Sequence, residues 1–133
     1  MEANDGTVDG ATTVVLVQGT NASLVATGNL FTTAALQPLF AGDTLEALCL
    51  VVERCPLAVL LDESCTPLDP WQFSLLVKSH PRLRQVRIVV LCRQSDPVAR
   101  ARAAAVRVDA LLQKPFASDE VLAALRHQPG CAA

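Results

Sequence analysis

Continuous apolar runs alternate along the chain with stretches in which apolar residues recur at every third or fourth position. An uninterrupted apolar run is typical of a strand that is buried on both faces of a sheet. Runs of this kind lie within residues 13–17, 57–61 and 87–92, and we also predict strands at residues 36–40 and 108–113. Pro38 lies within residues 36–40 and favours an edge position there, because proline has no N–H to donate to a neighbouring strand.

The intervals between these strands carry helical patterns. We predict a weak helix at residues 20–30, helices at 44–54 and 71–79, an Ala- and Arg-rich helix opening at Asp96 and Pro97, and a last helix at 118–126. Asp43, Asp96 and Ser118 stand where N-cap residues are expected, because their side-chain oxygens accept hydrogen bonds from the first free N–H groups of a helix. The apolar residues of the second helix share one face, and those of the third are predicted to face the core: Leu45, Leu48, Cys49 and Val52 in the second, Phe73, Leu76 and Val77 in the third.

The elements follow one another in the order βαβαβαβαβα, which favours an α/β domain with a parallel sheet covered by helices on both faces. Right-handed crossovers make an open, doubly wound sheet the expected arrangement. In such sheets, ligands bind outside the carboxyl ends of the strands. Gln18, Asp62, Cys92 and Lys114 each stand at a predicted strand end, so we expect these side chains to lie near one another.

Composition limits the kinds of partner. The chain has 133 residues, of which 51% are apolar and 18% charged, as expected for one globular domain. Its net charge of −2 gives no reason to expect binding to nucleic acid or to an anionic membrane. The apolar runs are shorter than the ~20 residues that span a bilayer, and the acidic first residues do not resemble a signal peptide. We predict a disordered lead-in at residues 1–11, one domain at 12–127, a flexible tail at 128–133 and a cytoplasmic location.

Five cysteines occur at irregular spacing, without a C-x-x-C pair. The odd count and the spacing argue against a disulfide framework or a zinc site, so we interpret the cysteines as small buried hydrophobes and expect no bound metal. A redox or nucleophilic role for Cys65 and Cys92 stays open, because Arg93 or Lys114 could lower a thiol pKa.

Three motifs carry a resemblance to a known family: VLLD at residues 59–62, Asp69 seven residues after Asp62, and QKPF at residues 113–116. With these motifs, the chain from residue 12 to residue 126 resembles the receiver domain of two-component response regulators. The resemblance implies a flavodoxin-like (βα)5 sheet with strand order 2-1-3-4-5. It also implies that Asp62 is the phosphoacceptor for a histidine kinase and that Lys114, which precedes Pro115, contacts the phosphate.

The chain departs from the receiver pattern at the metal site. Receivers carry two acids after the first strand, which hold Mg²⁺ together with the phosphoacceptor, whereas Gln18 and Gly19 occupy these positions here. A hard divalent cation prefers several anionic oxygens, so we expect Mg²⁺ only if the site is active, and no other cofactor. Glu63 is the nearest acid by sequence, and because it directly follows Asp62 we expect it to point elsewhere.

The chain also departs at the positions that change conformation in receivers. Cys92 replaces a serine or threonine, and Leu111 replaces the aromatic residue whose pose reports phosphorylation. Arg93 follows Cys92, and we expect it either to close over the pocket or to pair with Asp62. We therefore interpret the chain as a degenerate receiver, not an enzyme, that signals through protein contacts without Mg²⁺-dependent phosphorylation.

Other functions stay open at this point. An active receiver would be phosphorylated on Asp62, and a flavodoxin-like protein would hold a flavin or nucleotide phosphate in the loop QGTNAS at residues 18–23. The resemblance places the partner surface on the fourth helix, fifth strand and fifth helix, where a signalling protein, such as a histidine kinase, or a second copy of the chain would bind. Four arginines are candidate contacts for an acidic partner: Arg93, Arg100, Arg102 and Arg107.

Overall fold

Parallel strand pairing defines the architecture. The computed structural model describes residues 13–17, 36–94, 96–114 and 118–126. Five strands form one sheet in the order β2-β1-β3-β4-β5, and every neighbouring pair is parallel: β1 (Thr13–Val17), β2 (Gln37–Ala41), β3 (Ala58–Asp62), β4 (Arg87–Cys92) and β5 (Ala110–Gln113). The α/β class, the strand order and the edge position of the strand with Pro38 are therefore confirmed.

A helix follows each strand from β2 onward. The described residues contain α1 (Thr44–Arg54), α2 (Pro70–Ser79), α3 (Pro97–Ala105) and α4 (Ser118–Arg126). The predicted element boundaries are right to within two residues, and the largest difference is at β5, which begins at Ala110. The helix predicted at residues 20–30 lies outside the described residues.

Aspartate caps set where three of these helices begin. Each cap accepts a hydrogen bond of 2.8 Å from the N–H three residues later: Asp43 from Glu46, Asp69 from Gln72 and Asp96 from Ala99. The caps predicted at Asp43 and Asp96 are confirmed. Asp69 also forms a capping box, since its own N–H donates to the Gln72 side chain at 3.2 Å. Asp69, which the family motif singles out, thus has a local structural role.

The core has two parts, one on each face of the sheet. Successive side chains of a strand point to opposite faces, so each central strand contributes to both parts. On one face, Val15, Leu61 and Val90 pack with residues of α1 and α2. On the other face, Leu16 and Leu60 pack with residues of α4. This double covering explains why the strands lack alternation in the sequence.

The predicted apolar face of α1 was wrong. Ala47 and Val51 are the fully buried apolar residues of this helix, whereas Leu45 is 50% exposed and Cys49 is also exposed. The rotation of α1 is fixed by Thr44, whose hydroxyl accepts a 2.8 Å hydrogen bond from the Leu68 N–H. Thr44 faces the loop after β3, and Ala47 and Val51 on the same side of α1 meet the sheet, whereas Leu45 and Val52 are exposed.

The inward face of α2 was predicted only in part. Phe73 and Val77 are buried as expected, but Leu76 is 47% exposed and Lys78 is buried. The Lys78 ammonium forms a 2.7 Å ion pair with Asp109, which directly precedes β5. It also donates to two backbone carbonyls of the segment before β4, at 2.9 and 3.0 Å. These three acceptors allow a charged group to replace an apolar one in the core.

Candidate functional site

Asp62 is the last residue of β3 and is 2% exposed. Its Oδ1 atom forms an ion pair with the Nζ atom of Lys114, which directly follows β5. The sheet order puts β4 between these two strands, so the lysine side chain reaches across the end of β4. The backbone supports this reach, because the Lys114 N–H donates to the Cys92 carbonyl at 2.8 Å. The predicted convergence of Asp62, Cys92 and Lys114 is therefore what the structure shows.

Ser64 is a partner of Asp62 that the sequence analysis missed. Its N–H donates to the Asp62 Oδ2 atom at 3.0 Å, and its hydroxyl donates to the same oxygen. This contact could have been predicted from the sequence, because an aspartate side chain commonly accepts a hydrogen bond from the N–H two residues later in a local turn. Both carboxylate oxygens of Asp62 thus accept hydrogen bonds, Oδ1 from an ammonium group and Oδ2 from the chain two residues later.

The side chain of Cys92 turns toward a backbone carbonyl. Its Sγ atom donates to the Leu112 carbonyl oxygen on the neighbouring strand at 3.5 Å. Burial raises the pKa of the Cys92 thiol, with a further contribution from the Glu63 carboxylate, while Lys114 acts in the opposite direction. A neutral thiol is a weak donor. Leu111 is half-buried and packs against the core beside β4, so it forms part of the packed edge of the sheet.

Glu63 faces the end of β4. Its Oε2 atom accepts a 3.0 Å hydrogen bond from the Arg93 N–H, and its own N–H donates to the Leu91 carbonyl. This placement agrees with the expectation that Glu63 points elsewhere. Arg93 is exposed and, with Glu63, lines an open cleft of about 690 Å³ beside the Asp62 site. The structure thus places Arg93 at the rim of a cleft, and the two expectations for this residue stay predictions.

Cys65 lies in the loop after β3 and is buried. Burial raises the pKa of its thiol to about 12, and the charges of Asp62 and Asp69 act in the same direction. The Sγ atom donates to the Leu68 carbonyl oxygen at 3.6 Å. A lowered thiol pKa at Cys65 or Cys92 was the condition for a redox or nucleophilic role, and both are raised. The raised pKa values of Cys65 and Cys92 do not favour that alternative, which stays a prediction.

Three further predicted arginines lie on or just after α3. Arg100, Arg102 and Arg107 are all exposed, and Arg107 has a positive φ of 63° in the turn that leads to β5. Arg102 lines the same cleft as Arg93, whereas Arg107 lines a second cavity at the other end of α3. The structure thus separates these arginines onto different sides of the helix. Gln18, Gly19 and the loop proposed for a flavin or nucleotide phosphate lie outside the described residues.

Comparison with known proteins identifies the fold. No family model matches the chain, and no curated protein does. The chemotaxis response regulator CheY4 of Vibrio cholerae is similar in structure, with a TM-score of 0.78 and 19% identity over 87% of this chain and 97% of that one. The receiver domain of a histidine kinase from Syntrophus aciditrophicus has a TM-score of 0.77 and 17% identity, over 87% of this chain and 88% of that one. The chain has the receiver-domain fold.

A third receiver domain bears on the metal site. The receiver domain of the sensor histidine kinase PA1611 from Pseudomonas aeruginosa has a TM-score of 0.77 and 18% identity, over 90% of this chain and 98% of that one. It holds a magnesium ion in its active site cleft. At this level of identity the similarity establishes the receiver fold, and the chemistry of Asp62 must be judged from this chain's own residues.

The described residues of this receiver fold do not fit a magnesium ion. Mg²⁺ requires near-octahedral oxygen ligands, several of which are anionic in receivers. Here an ammonium group and a serine occupy the two oxygens of Asp62, and the Glu63 carboxylate faces a backbone N–H. In the part of the chain that the structure describes, no three His, Cys, Asp or Glu residues converge on one point. In the sequence, Gln18 and Gly19 add no charge.

The same described residues bear on membrane insertion. None of the helices between residues 44 and 126 that the structure describes has the length and hydrophobicity that crossing a bilayer requires.

Proposed function

We propose that the chain is a receiver-like signalling module of a two-component or phosphorelay system that acts through protein contacts and is not phosphorylated in a Mg²⁺-dependent reaction. One observation carries the proposal: the Asp62 carboxylate is held on both oxygens, by Lys114 on one and by Ser64 on the other. A carboxylate nucleophile needs an accessible oxygen and a neutralised phosphoryl group in front of it. The contacts with Lys114 and Ser64 support a structural role for Asp62.

Fewer side chains are also placed to stabilise a transferred phosphoryl group. Phosphoryl transfer depends on positioning and on positive charge, much of it supplied by metal ions. Among the described residues, the cation in contact with Asp62 is Lys114, and its charge balances that carboxylate. The Cys92 thiol, which stands at the position of a hydroxyl in receivers, is engaged with the Leu112 carbonyl. These residues supply neither a second anionic ligand for a metal nor a strong neutral donor to a phosphoryl oxygen.

Intact-mass measurement tests the proposal. The chain and its Asp62→Asn variant are incubated with acetyl phosphate and Mg²⁺, and we expect neither to gain a phosphoryl group. A gain of one phosphoryl group that disappears in Asp62→Asn would overturn the proposal. As a matched gain-of-function variant, Gln18→Asp with Gly19→Asp restores two carboxylates, and we expect it to bind Mg²⁺ more tightly than the unchanged chain.

An active receiver is the second candidate, favoured by the burial of Asp62 at a strand end beside Lys114. Mg²⁺ with beryllofluoride distinguishes the two, because this probe mimics a bound phosphoryl group. Trp71 lines the cleft beside the site and is the single tryptophan of the chain, so its fluorescence reports the loop nearby. The active-receiver hypothesis expects a saturable change that requires Mg²⁺, and our proposal expects none.

The partner follows from the same proposal. Two of the similar structures are receiver domains of histidine kinases, which suggests a place for this chain among phosphorelay proteins. We therefore propose a signalling protein, such as a histidine kinase, as its partner, a cytoplasmic location, and no catalytic activity of its own.

A further inference from the structure

The groove between α2 and α3 is open to solvent at both ends. The larger cavity, of about 690 Å³, is lined by Trp71 from the start of α2 and by Val98 and Arg102 from α3. The smaller cavity, of about 350 Å³, is lined by Leu75 and Ser79 further along α2 and by residues at the end of α3. Both helices follow neighbouring parallel strands, so they run side by side in the same direction. The two cavities therefore lie toward opposite ends of the surface between α2 and α3, and we call this surface the interhelical groove.

Part of the floor of this groove is formed by apolar side chains that are exposed or half-buried. Along α2, Trp71, Leu75 and Ser79 are spaced four residues apart, which places them on one face. Leu75 is 56% exposed, and Val98 at the start of α3 is 64% exposed. Ser74 donates to the Val106 carbonyl at 2.7 Å, which holds the two helices together beneath the smaller cavity. The apolar side chains above this contact remain uncovered by the described residues.

The rim of the groove is basic. Residues 71–108 contain eight lysines and arginines and a single acid, Asp96, whereas the whole chain has a net charge of −2. Two of the eight, Lys78 and Arg87, are buried and bonded within the domain, and the other six are exposed. Four of those six line the two cavities: Arg84, Arg93, Arg102 and Arg107.

The two acids at the rim lie at one end and are used locally. Glu63 accepts the Arg93 N–H at 3.0 Å, and Asp96 accepts the Ala99 N–H at 2.8 Å as the cap of α3. The opposite end, around Arg84 and Arg107, has no acid among the residues that line it. A partner with acidic groups therefore meets its strongest attraction from Arg102 toward that end.

We propose that this groove binds an acidic amphipathic helix of a partner protein. An apolar floor between two helices suits apolar side chains spaced three and four residues apart on a third helix, and the basic rim suits carboxylates beside them. From Trp71 to Ser79 the floor is about 12 Å long, which accommodates about two turns of helix. The proposal rests on the proposed role in protein contacts, but it does not require Asp62 to be inactive. The family resemblance implies a partner surface on the β5 side of α3, whereas the proposed groove lies on the α2 side of that helix.

A matched pair of charge reversals tests the location. Arg100 and Arg102 are both exposed on α3 and lie about 200° apart around the helix, and only Arg102 lines the groove. The probe is a fluorescein-labelled synthetic helix of about 15 residues, with leucines spaced three and four residues apart and glutamates elsewhere. A second probe carries lysines in place of the glutamates. Binding is followed by probe anisotropy and by the emission of Trp71, without Mg²⁺ or acetyl phosphate.

We expect the glutamate probe to bind and to change Trp71 emission, and the lysine probe to do neither. Arg102→Glu should weaken binding by ~10-fold or more and Arg100→Glu by less than ~2-fold, because only the first puts like charges together in the groove. Leu75→Ala should also weaken binding, since it removes part of the apolar floor, and its position is exposed enough for the fold to tolerate it.

Several results would overturn the inference: no binding of the glutamate probe, equal losses in the two arginine variants, or tighter binding of a labelled DNA duplex than of the glutamate probe. The phosphorylation assay is separate, so the two proposals fail independently. If the chain gains a phosphoryl group and still binds the probe through Arg102, the proposal of a binding groove stands and the proposal of an inactive Asp62 site is wrong. If the chain gains no phosphoryl group and does not bind the probe, the proposal of an inactive Asp62 site stands and the proposal of a binding groove is wrong.

Discussion

Replacing Asp62 by asparagine distinguishes a structural ion pair from a metal site through the sign of the stability change. In a site where several carboxylates converge, an amide in place of one carboxylate relieves repulsion between like charges and stabilises the fold. Asp62 instead contacts an ammonium group, so Asp62→Asn keeps the side-chain shape and removes the attraction. We expect the variant to be less stable than the unchanged chain.

The magnitude follows from the burial of the two partners. The side chains of Asp62 and Lys114 are 3% and 25% exposed. Breaking a fully buried pair costs about 3–5 kcal/mol, and breaking an exposed one about 0–1 kcal/mol. Because Lys114 can turn its ammonium group toward water, we expect a loss of about 2 kcal/mol. For a chain of this length, that loss corresponds to a fall in Tm of about 7 °C.

Urea denaturation in low-salt buffer without divalent cations measures this change. A double-mutant cycle with Lys114→Met isolates the pair, and we expect the double variant to lose less than the sum of the two single losses. Asp43→Asn is the matched control, because asparagine caps a helix as well as aspartate does, so its effect should stay within about 0.5 kcal/mol. An unchanged or raised stability in Asp62→Asn would falsify the view of Asp62 as one half of a structural ion pair.

Further predictions concern the other buried polar groups of the domain. Lys78→Met should cost about 3–4 kcal/mol in urea denaturation, because it removes the donor to two backbone carbonyls and the ion-pair partner of Asp109, while the exposed control Arg82→Met should stay within about 0.5 kcal/mol. In alkylation followed by mass spectrometry at pH 8, exposed Cys49 should react before buried Cys65 and Cys92, which should react only after unfolding. Early modification of Cys65 would contradict its assignment as a buried thiol. The pKa of Cys65 is raised from 9.0 to about 12, so unfolded chains lose this proton near pH 9 while folded chains keep it. Stability should therefore be unaffected by this thiol below pH 9 and should fall as the pH rises from 9 toward 12, and Cys65→Ala should reduce that fall.

The sheet could be predicted from the sequence because its signals are local. Each central strand is an uninterrupted apolar run, and the aspartate caps mark where α1 and α3 begin. Parallel topology then brings the strand ends together, so the meeting of Asp62 with Lys114 follows from the order of the elements. Geometry of this kind depends on connectivity rather than on the details of packing.

The faces of the helices could not be predicted in the same way. In α1, apolar residues occupy more than one face, so the 3.6-residue period allows more than one orientation. The contact that decides the orientation joins Thr44 to Leu68, which is 24 residues away. Likewise, nothing around Lys78 in the sequence shows that Asp109 and two carbonyls will satisfy its charge. Long-range polar contacts therefore override a local apolar pattern at both helices.

The two buried lysine–aspartate pairs give Asp62 a reason to be present apart from phosphoryl transfer. β5 is an edge strand of four residues, most of them only half-buried, so its own packing holds it weakly. Asp109 immediately precedes β5 and pairs with Lys78, and Lys114 immediately follows it and pairs with Asp62. Each pair ties one end of β5 to an element other than its neighbour β4. The Asp62–Lys114 pair stabilises this edge strand whether or not Asp62 ever carries a phosphoryl group, so the presence of these two residues is not by itself a sign of an active site.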